Sequence, residues 1–293
     1  MTRLALIGVG LIGGSAALAF KRAEKVESVA GFDADPAACA EALARGVIDR
    51  AAGSVADAVR AADLVLLAVP VGATTAVLAE VAAAVPAHAV ITDVGSTKRS
   101  VIDAAQAVLN AHSSFSFRRF VPGHPIAGGE RPGVAHADAD LFRGKLFVST
   151  PVAETHADAL AKVEALWRAV GANVQRMDAD EHDRIFAAIS HLPHLLAFAL
   201  VAQIAAEPDG SRKLGFAGAG FRDFTRIAAS SPVMWRDIAL ANRDALGAEL
   251  RGYRGMLDRL QQALEAGDAA ALEDVFARAA QARRAQQRGF DGE

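Results

Sequence analysis

Among 293 residues there is one cysteine, Cys39. That excludes an intramolecular disulfide framework and a cysteine-based zinc site. Charge of one sign is also lacking. The formal net charge is −3, and lysines and arginines are spread along the chain. This argues against nucleic acid or an anionic membrane surface as the main partner. Long uninterrupted hydrophobic runs are scarce. The N-terminal stretch RLALIGVGLIGGSAALAF has the look of a secretion signal, but Gly8, Gly10, Gly13 and Gly14 punctuate it and a second strand pattern follows at once. The segment from Leu192 to Ala206 contains Pro193, His194 and Gln203 and is too short to span a bilayer comfortably. A cytoplasmic protein is therefore expected. What the chain does have is 52% hydrophobic residues, enough for a sizeable core in one large domain or two ordinary ones.

Those hydrophobic residues come in short runs separated by alanine-rich helical stretches. RLALIGVG, VESVAGFD (26–33), DLVLLAVP (63–70), AVITDVGS (89–96), RFVPGHP (119–125), KLFVSTP (145–151) and NVQRM (173–177) each predict a strand. Helices are predicted over 11–22, 36–45, from 74, from 98 and over 155–170. Consecutive apolar residues suit strands covered on both faces, and strand–helix alternation predicts a parallel, doubly wound α/β sheet. After residue 178 the strands stop, so the domains divide as 1–178, Rossmann-type, and 179–293, all-helical. Residues 180–207 are apolar nearly all round and predict a buried helix, bent at Pro193. A shorter helix covers 221–230. Ser231 and Pro232 predict a cap and a first helical residue. The following helix carries Leu246, Leu250, Tyr253, Leu257, Leu260 and Leu264, a heptad seam that serves either intrachain packing or a homodimer. Gly267-Asp268 ends that helix and caps the next.

GVGLIG supplies glycines at 8, 10 and 13 between a strand and a helix. In that context Gly8 allows the tight turn, Gly10 lets main chain approach a pyrophosphate, and Gly13 lets helix and strand pack closely. Leu11 and Ile12 open the helix whose free N–H groups face the anion. Asp33, at the end of the second strand, can accept from both ribose hydroxyls and would repel a 2′-phosphate, so NAD is the expected cofactor. Val69 and Pro70 end a later strand, where sheet topology places ligands.

An enzyme that removes hydride from an alcohol needs a group to take the proton. His124, in GHP after a strand, is either that base or an exposed loop histidine. Ser96, in DVGSTK, either orients a substrate hydroxyl and the imidazole or caps the helix from Lys98, or does both. Asp93 and Lys98 have either catalytic or structural readings. SHLPH holds His191 and His194, either metal ligands without an evident third partner or buried, hydrogen-bonded rings; no metal is expected. Arg222 and Arg226 lie four apart, and one of them can clamp a carboxylate in a bidentate way.

In order, GVGLIGGS, DVGSTK, GHPIAG, SHLPH, GFRDFTRIA and SSPVMWRDI resemble the prephenate/arogenate (cyclohexadienyl) dehydrogenases of tyrosine biosynthesis, over essentially the whole chain. The resemblance implies NAD-dependent oxidative decarboxylation of prephenate to 4-hydroxyphenylpyruvate, or of arogenate to tyrosine. It makes His124 the base, Ser96 the residue orienting the ring hydroxyl, Arg226 the carboxylate ligand, and His194 a second active-site histidine. Glu130 and Asp223 match acidic residues at the site entrance, and Trp235 an aromatic close to it. Asp183 matches a position whose acidity is linked with accepting arogenate. Residue 129 is glycine where related chains often carry Ser, Thr or Ala. With no C-terminal regulatory domain expected, any feedback by tyrosine would act at the active site itself. A β-hydroxyacid dehydrogenase or imine reductase of the same plan needs neither GHPIAG nor SHLPH followed by DFTR. A non-catalytic NAD sensor has no use for His124, Ser96 and Arg226 together.

Overall fold

The computed structural model describes residues 2–111, 115–129 and 131–291. The first part of the chain alternates as the sequence indicates. Strands β1 (Arg3–Ile7), β2 (Ser28–Phe32), β3 (Arg50–Ala51), β4 (Leu64–Leu67), β5 (Val90–Asp93) and β6 (Phe120–Val121) form one sheet in the order β3-β2-β1-β4-β5-β6, every pair parallel. Between them run α1 (Leu11–Arg22), α2 (Pro36–Ala44), α3 (Val55–Val59), α4 (Thr74–Ala82) and α5 (Arg99–Asn110). The short β3 and α3 have too few residues to show a period, and the sequence pattern does not announce them.

Alternation along the central strands divides the core in two. Leu4, Leu6, Leu64 and Leu66 join one cluster with Phe20 and Trp167; Ala5, Ile7, Val65 and Leu67 join the other with Leu78, Val101 and Ile102. Both faces of the sheet are thus covered, as parallel strands require. Each fully buried leucine or isoleucine contributes about 1.5–3 kcal/mol relative to exposure.

The expected strand over 119–125 is two strands in two sheets. After β6 the chain steps through Pro122 into β7 (Gly123–Pro125), which pairs antiparallel with β8 (Leu146–Ser149). β8, α6 (Ala157–Ala169) and β9 (Asn173–Arg176) form the expected βαβ unit, but in a separate three-stranded sheet. Residues 123–125 are therefore strand and not the turn that Gly123 and Pro125 suggest. Trp167 of α6 stacks on Phe147 of β8 and meets Phe20 of α1 edge-on, joining this sheet to the first core.

The helical part also departs from expectation. The expected helix over 180–207 is one unbroken helical run, 179–205, made of α7 (Ala179–Phe186), a π-helical turn (Ala187–His191) and α8 (Leu192–Ala205). The π-helical turn ends just before Pro193, which sits in the first turn of α8. Of α8 only Leu192 and Ala197 are buried, and most of its residues are half-buried, so it is not the fully buried helix expected. Together α7, the turn and α8 make 27 residues that are long and apolar enough to cross a membrane by length and composition, a longer run than the sequence segment from Leu192 suggests. Helices α9 (Gly210–Gly215) and α10 (Ala219–Thr225) follow, then a 3-10 turn (Arg226–Ala229) where continuous helix is expected. Ser231 accepts from Met234 N–H at 3.3 Å and caps α11 (Pro232–Ala241). The heptad residues lie on a separate helix, α12 (Arg243–Ala266), before α13 (Ala269–Asp291). Gly267 adopts φ +63°, and Asp268 accepts from Ala271 N–H at 3.0 Å, the expected stop and cap. By packing, the chain forms two compact units, Met1–Arg243 and Asp244–Glu293. That division lies well beyond residue 178, because α7 to α11 pack with the sheet-bearing part.

Candidate active site

Strand order reverses between β1 and β4, and the crevice beyond their carboxyl ends is the ligand position of a doubly wound sheet. Gly8 turns the chain there with φ +95°, and a Cβ on it would fall onto the Ala68 carbonyl. Gly10 precedes α1 without any side-chain cap, and no acidic residue occupies the first turn. The N–H groups of Leu11, Ile12 and Gly13 are left for an anion. A Cβ at Gly10 would meet nothing within 4 Å, so the approach is open. Asp33 accepts from Val9 N–H at 2.7 Å and Asp35 N–H at 2.9 Å, which anchors its carboxylate beside the turn with lone pairs to spare. Val69 and Pro70 leave the end of β4 on the other side of the switch point. Turn, uncapped helix and anchored carboxylate fit a dinucleotide.

His124 is the central residue of β7, opposite Val148. A buried ion pair ties this strand to the end of β5. Lys98 pairs with Asp93; it also donates to Gly123 O at 2.7 Å, while Asp93 accepts from Gly123 N–H at 3.0 Å. The Lys98 side chain is 0% exposed and that of Asp93 is 3%. Burial pushes the Lys98 ammonium below its ordinary pKa against the opposing pull of Asp93. The 94–98 loop carrying Ser96 and the strand carrying His124 therefore share one charged lock.

Helix α7 supplies the rest of the surroundings. His124 Nδ1 lies 2.9 Å from His182 Nε2, and His182 Nδ1 lies 2.8 Å from Asp183 Oδ1. Asp183 also accepts from Lys98 N–H at 2.7 Å and Arg99 N–H at 2.9 Å, so it caps α5 from the far side of the fold. Phe186, one turn on from His182, meets the His124 ring edge-on. Burial is the largest influence on His124 and holds its pKa well below the ordinary value; His182, Lys98 and His191 push the same way. The ring is neutral near pH 7, as a base must be.

Two more histidines extend the cluster. Buried His191 has Nδ1 3.0 Å from Asn242 Nδ2, which also donates to Asp183 O at 2.7 Å. Burial lowers the His191 pKa to about 4. His194 stacks on Trp235 with ring centroids 3.5 Å apart and 19° between planes. Its Nδ1–H donates to Ser190 O at 2.9 Å. Burial and then the positive charge of Arg226 keep His194 below its ordinary pKa. A neutral ring so bonded turns a bare Nε2 acceptor outward.

Comparison with known proteins agrees with this arrangement. Residues 16–176 match the model for the prephenate dehydrogenase nucleotide-binding domain, and residues 178–278 match the prephenate dehydrogenase dimerization domain. The chain belongs to the prephenate dehydrogenase family. It is 38% identical to a prephenate dehydrogenase of Bacillus subtilis over 92% of this chain and 72% of that one. It is 37% identical to a cyclohexadienyl dehydrogenase of Zymomonas mobilis over 98% and 97%. The crystal structure of prephenate dehydrogenase from Aquifex aeolicus in complex with hydroxyphenyl propionate and NAD+ superposes with a TM-score of 0.87 at 32% identity, covering 98% of each chain.

Within this prephenate dehydrogenase fold, the sequence-predicted residues fall into three groups. Gly8, Gly10, Leu11, Ile12, Gly13, Asp33, Val69 and Pro70 gather at the switch point. His124, His194, Arg226 and Trp235 line up along the histidine cluster, and the main chain of Ser96 approaches His191. Ser96 does not cap α5, whose N-terminal N–H groups go to Asp183. Asp183 itself is not where a substrate amine would need it: it is buried, and three N–H donors occupy its oxygens. Arg222 and Asp223 are exposed on α10. Glu130 lies outside the described residues. Sequence reasoning passed over His182 and Asn242. The signal for His182 was the DEHD run with Phe186 four residues on, an aromatic and a histidine on one helical face.

Proposed function

We propose that this chain is an NAD-dependent prephenate dehydrogenase that converts prephenate to 4-hydroxyphenylpyruvate, with His124 as the base. The observation that carries this reading is His124 itself: a neutral imidazole on β7, locked to the end of β5. When bound, NAD supplies the hydride acceptor. His124 takes the hydroxyl proton as the ring hydrogen departs. The bond to the ring carboxylate then breaks, carbon dioxide leaves, and the electron pair left behind makes the ring aromatic. The proton returns from His124 to the phenolic oxygen, so none is released overall. Ser96 orients the hydroxyl, Arg226 holds a carboxylate, and His194 on Trp235 lines the side-chain end. The gain of aromaticity drives the carbon–carbon cleavage, so the protein's task is positioning and a dry, neutral base.

Oxidation of arogenate is the second reading, favoured by the end-to-end match with the Zymomonas mobilis cyclohexadienyl dehydrogenase. NADH formation from prephenate and arogenate, measured in parallel with and without tyrosine, decides between them. Prephenate turnover is the expected result; oxidation of neither compound overturns the proposal.

Residues 1–178 and 179–293 serve as cofactor and substrate parts in this reading, and the working form is a cytoplasmic homodimer. Apolar side chains exposed in the single chain support the dimer: Ile189, Phe216 and Leu240 in the first unit, Leu257 and Leu264 on the seam of α12. A monomeric mass by light scattering would remove it.

A further inference from the structure

The structure assigns His182 and Asp183 as positioning residues that fix the tautomer of His124, leaving its Nε2 atom as the base. The inference rests on His124 being the base of the reaction proposed above. It follows from counting hydrogens along one chain of contacts. An ionised carboxylate only accepts, so His182 Nδ1, 2.8 Å from Asp183 Oδ1, carries a hydrogen. A neutral imidazole has one N–H, so His182 Nε2 is bare. His124 Nδ1, 2.9 Å away, must then be the donor, and in a neutral ring Nε2 is left with the lone pair.

Each premise has its own support. Burial works against ionisation of Asp183, but bonds from His182, Lys98 N–H and Arg99 N–H outweigh it and hold its pKa below the ordinary value. The two main-chain donors open α5, which has no side-chain cap of its own, so the helix terminus also favours the anion. His182 is 0% exposed, and burial outweighs its bond to Asp183 and keeps it neutral. The charged and titratable groups facing this chain of contacts are Lys98 and Asp93 at the lock, Asp183 on α7, and His191 in the π-turn.

The reverse arrangement is inactive. With the hydrogen on His182 Nε2, its bare Nδ1 would face the Asp183 carboxylate, and His124 would carry its hydrogen on Nε2, where no substrate proton could go. In the assigned arrangement no proton need move between the rings. When His124 takes the hydroxyl proton on Nε2, its Nδ1–H bond to His182 becomes charge-assisted and strengthens. A wrong tautomer enforced by a neutral partner is known to disable a histidine base in serine proteases by about 10⁴-fold.

The test is ¹⁵N-histidine NMR of the full chain at neutral pH, with His124 assigned by its loss in His124→Asn. Nδ1 protonated and Nε2 unprotonated is the expected pattern; a protonated Nε2 overturns the assignment without any substrate being present. In kinetics, His182→Leu removes the acceptor. It should lower kcat about 30- to 100-fold with the prephenate KM within about threefold, and displace the acid limb, since His182 is the group bonded to His124 Nδ1. His182→Gln places an amide oxygen near the lost Nε2 and should restore about tenfold over His182→Leu. Should His182→Leu not fold, the tautomer read by NMR on the unsubstituted chain still decides the inference. Unchanged kcat and acid limb in both variants, or glutamine no better than leucine, overturns the inference. A fully active His124→Asn would instead remove the base reading and leave the tautomer measured.

Discussion

The turn after β1 and the cluster around β7 differ in what they are made of. Around Gly8, Gly10 and α1 the groups facing a ligand are main-chain N–H, Asp33 anchors them, and turn, helix and carboxylate lie within the first 33 residues. Around His124 the groups are side chains drawn from β5, β7, α7, the π-turn and Asn242, across some 150 residues of chain. The first site is a property of local backbone shape and is written as glycine spacing. The second exists only once the fold has formed, and each member depends on a neighbour's hydrogen bonds. A backbone site suits a cofactor whose phosphates need only donors and space; a proton-transfer site needs tautomer, pKa and distance set together.

If the two sites are separable, His124→Asn lowers kcat by about 10²–10⁴-fold and leaves NAD affinity within about twofold, measured by steady-state kinetics and NAD titration. A parallel loss of NAD affinity would break the distinction. The pH profile carries the same signature. His124 has its pKa lowered, so it stays neutral until pH falls through that lowered value. Activity should therefore be level around neutrality and decline only well below the ordinary histidine value of 6.5. An acid limb at or above 6.5 would mean that the ring is not held as the structure shows it.

Lys98→Met probes the lock between the two sites. It leaves Asp93 buried without its partner, which costs about 3–5 kcal/mol in folding stability by denaturant titration. Adding Asp93→Asn removes the orphaned charge while an amide oxygen can still accept from Gly123 N–H, so the double variant should regain part of that loss. No recovery would mean that the pair acts through catalytic geometry rather than charge balance. Arg226→Ala has a smaller effect, confined to substrate. Losing a charge-assisted bond worth about 1.5–3 kcal/mol raises the prephenate KM about tenfold or more. A change confined to NAD affinity would place the arginine at the wrong site.

The same contrast explains what the sequence revealed. The alternation of strands and helices, Gly8 to Gly13 and Asp33 were readable because periodicity and spacing are local. So were Ser231 and Asp268 as caps. The split of 119–125 into β6 and β7 was not readable, since the strands differ only in which partner they pair with, a long-range fact. His182 was overlooked for the same reason: a histidine beside an aspartate on a helix acquires meaning only when β7 brings His124 against it. Asp183 was expected at the substrate, yet it caps a helix that begins 84 residues earlier, and no local pattern encodes such a cap. The family resemblance supplied His194, Arg226 and Trp235, where spacing alone left alternatives open.

Gly129 carries the smallest expected effect and the finest distinction. It follows β7, and its nearest neighbour is Leu11 at the start of α1; both line a recess of about 340 Å³ with Arg131, His136 and Asp138. A Cβ there would lie 3.2 Å from Leu11 Cδ2 and meet nothing else within 4 Å. The far end of a leucine can give by a few tenths of an ångström, so Gly129→Ala should alter stability by no more than about 0.5 kcal/mol and kcat by less than about twofold. Whatever effect appears should fall on NAD affinity, because the displaced atom belongs to the helix proposed to hold the cofactor. A change in the prephenate or arogenate KM with NAD affinity unaltered would instead assign residue 129 to substrate choice. It would also show that the backbone-built and side-chain-built sites meet at this one exposed residue.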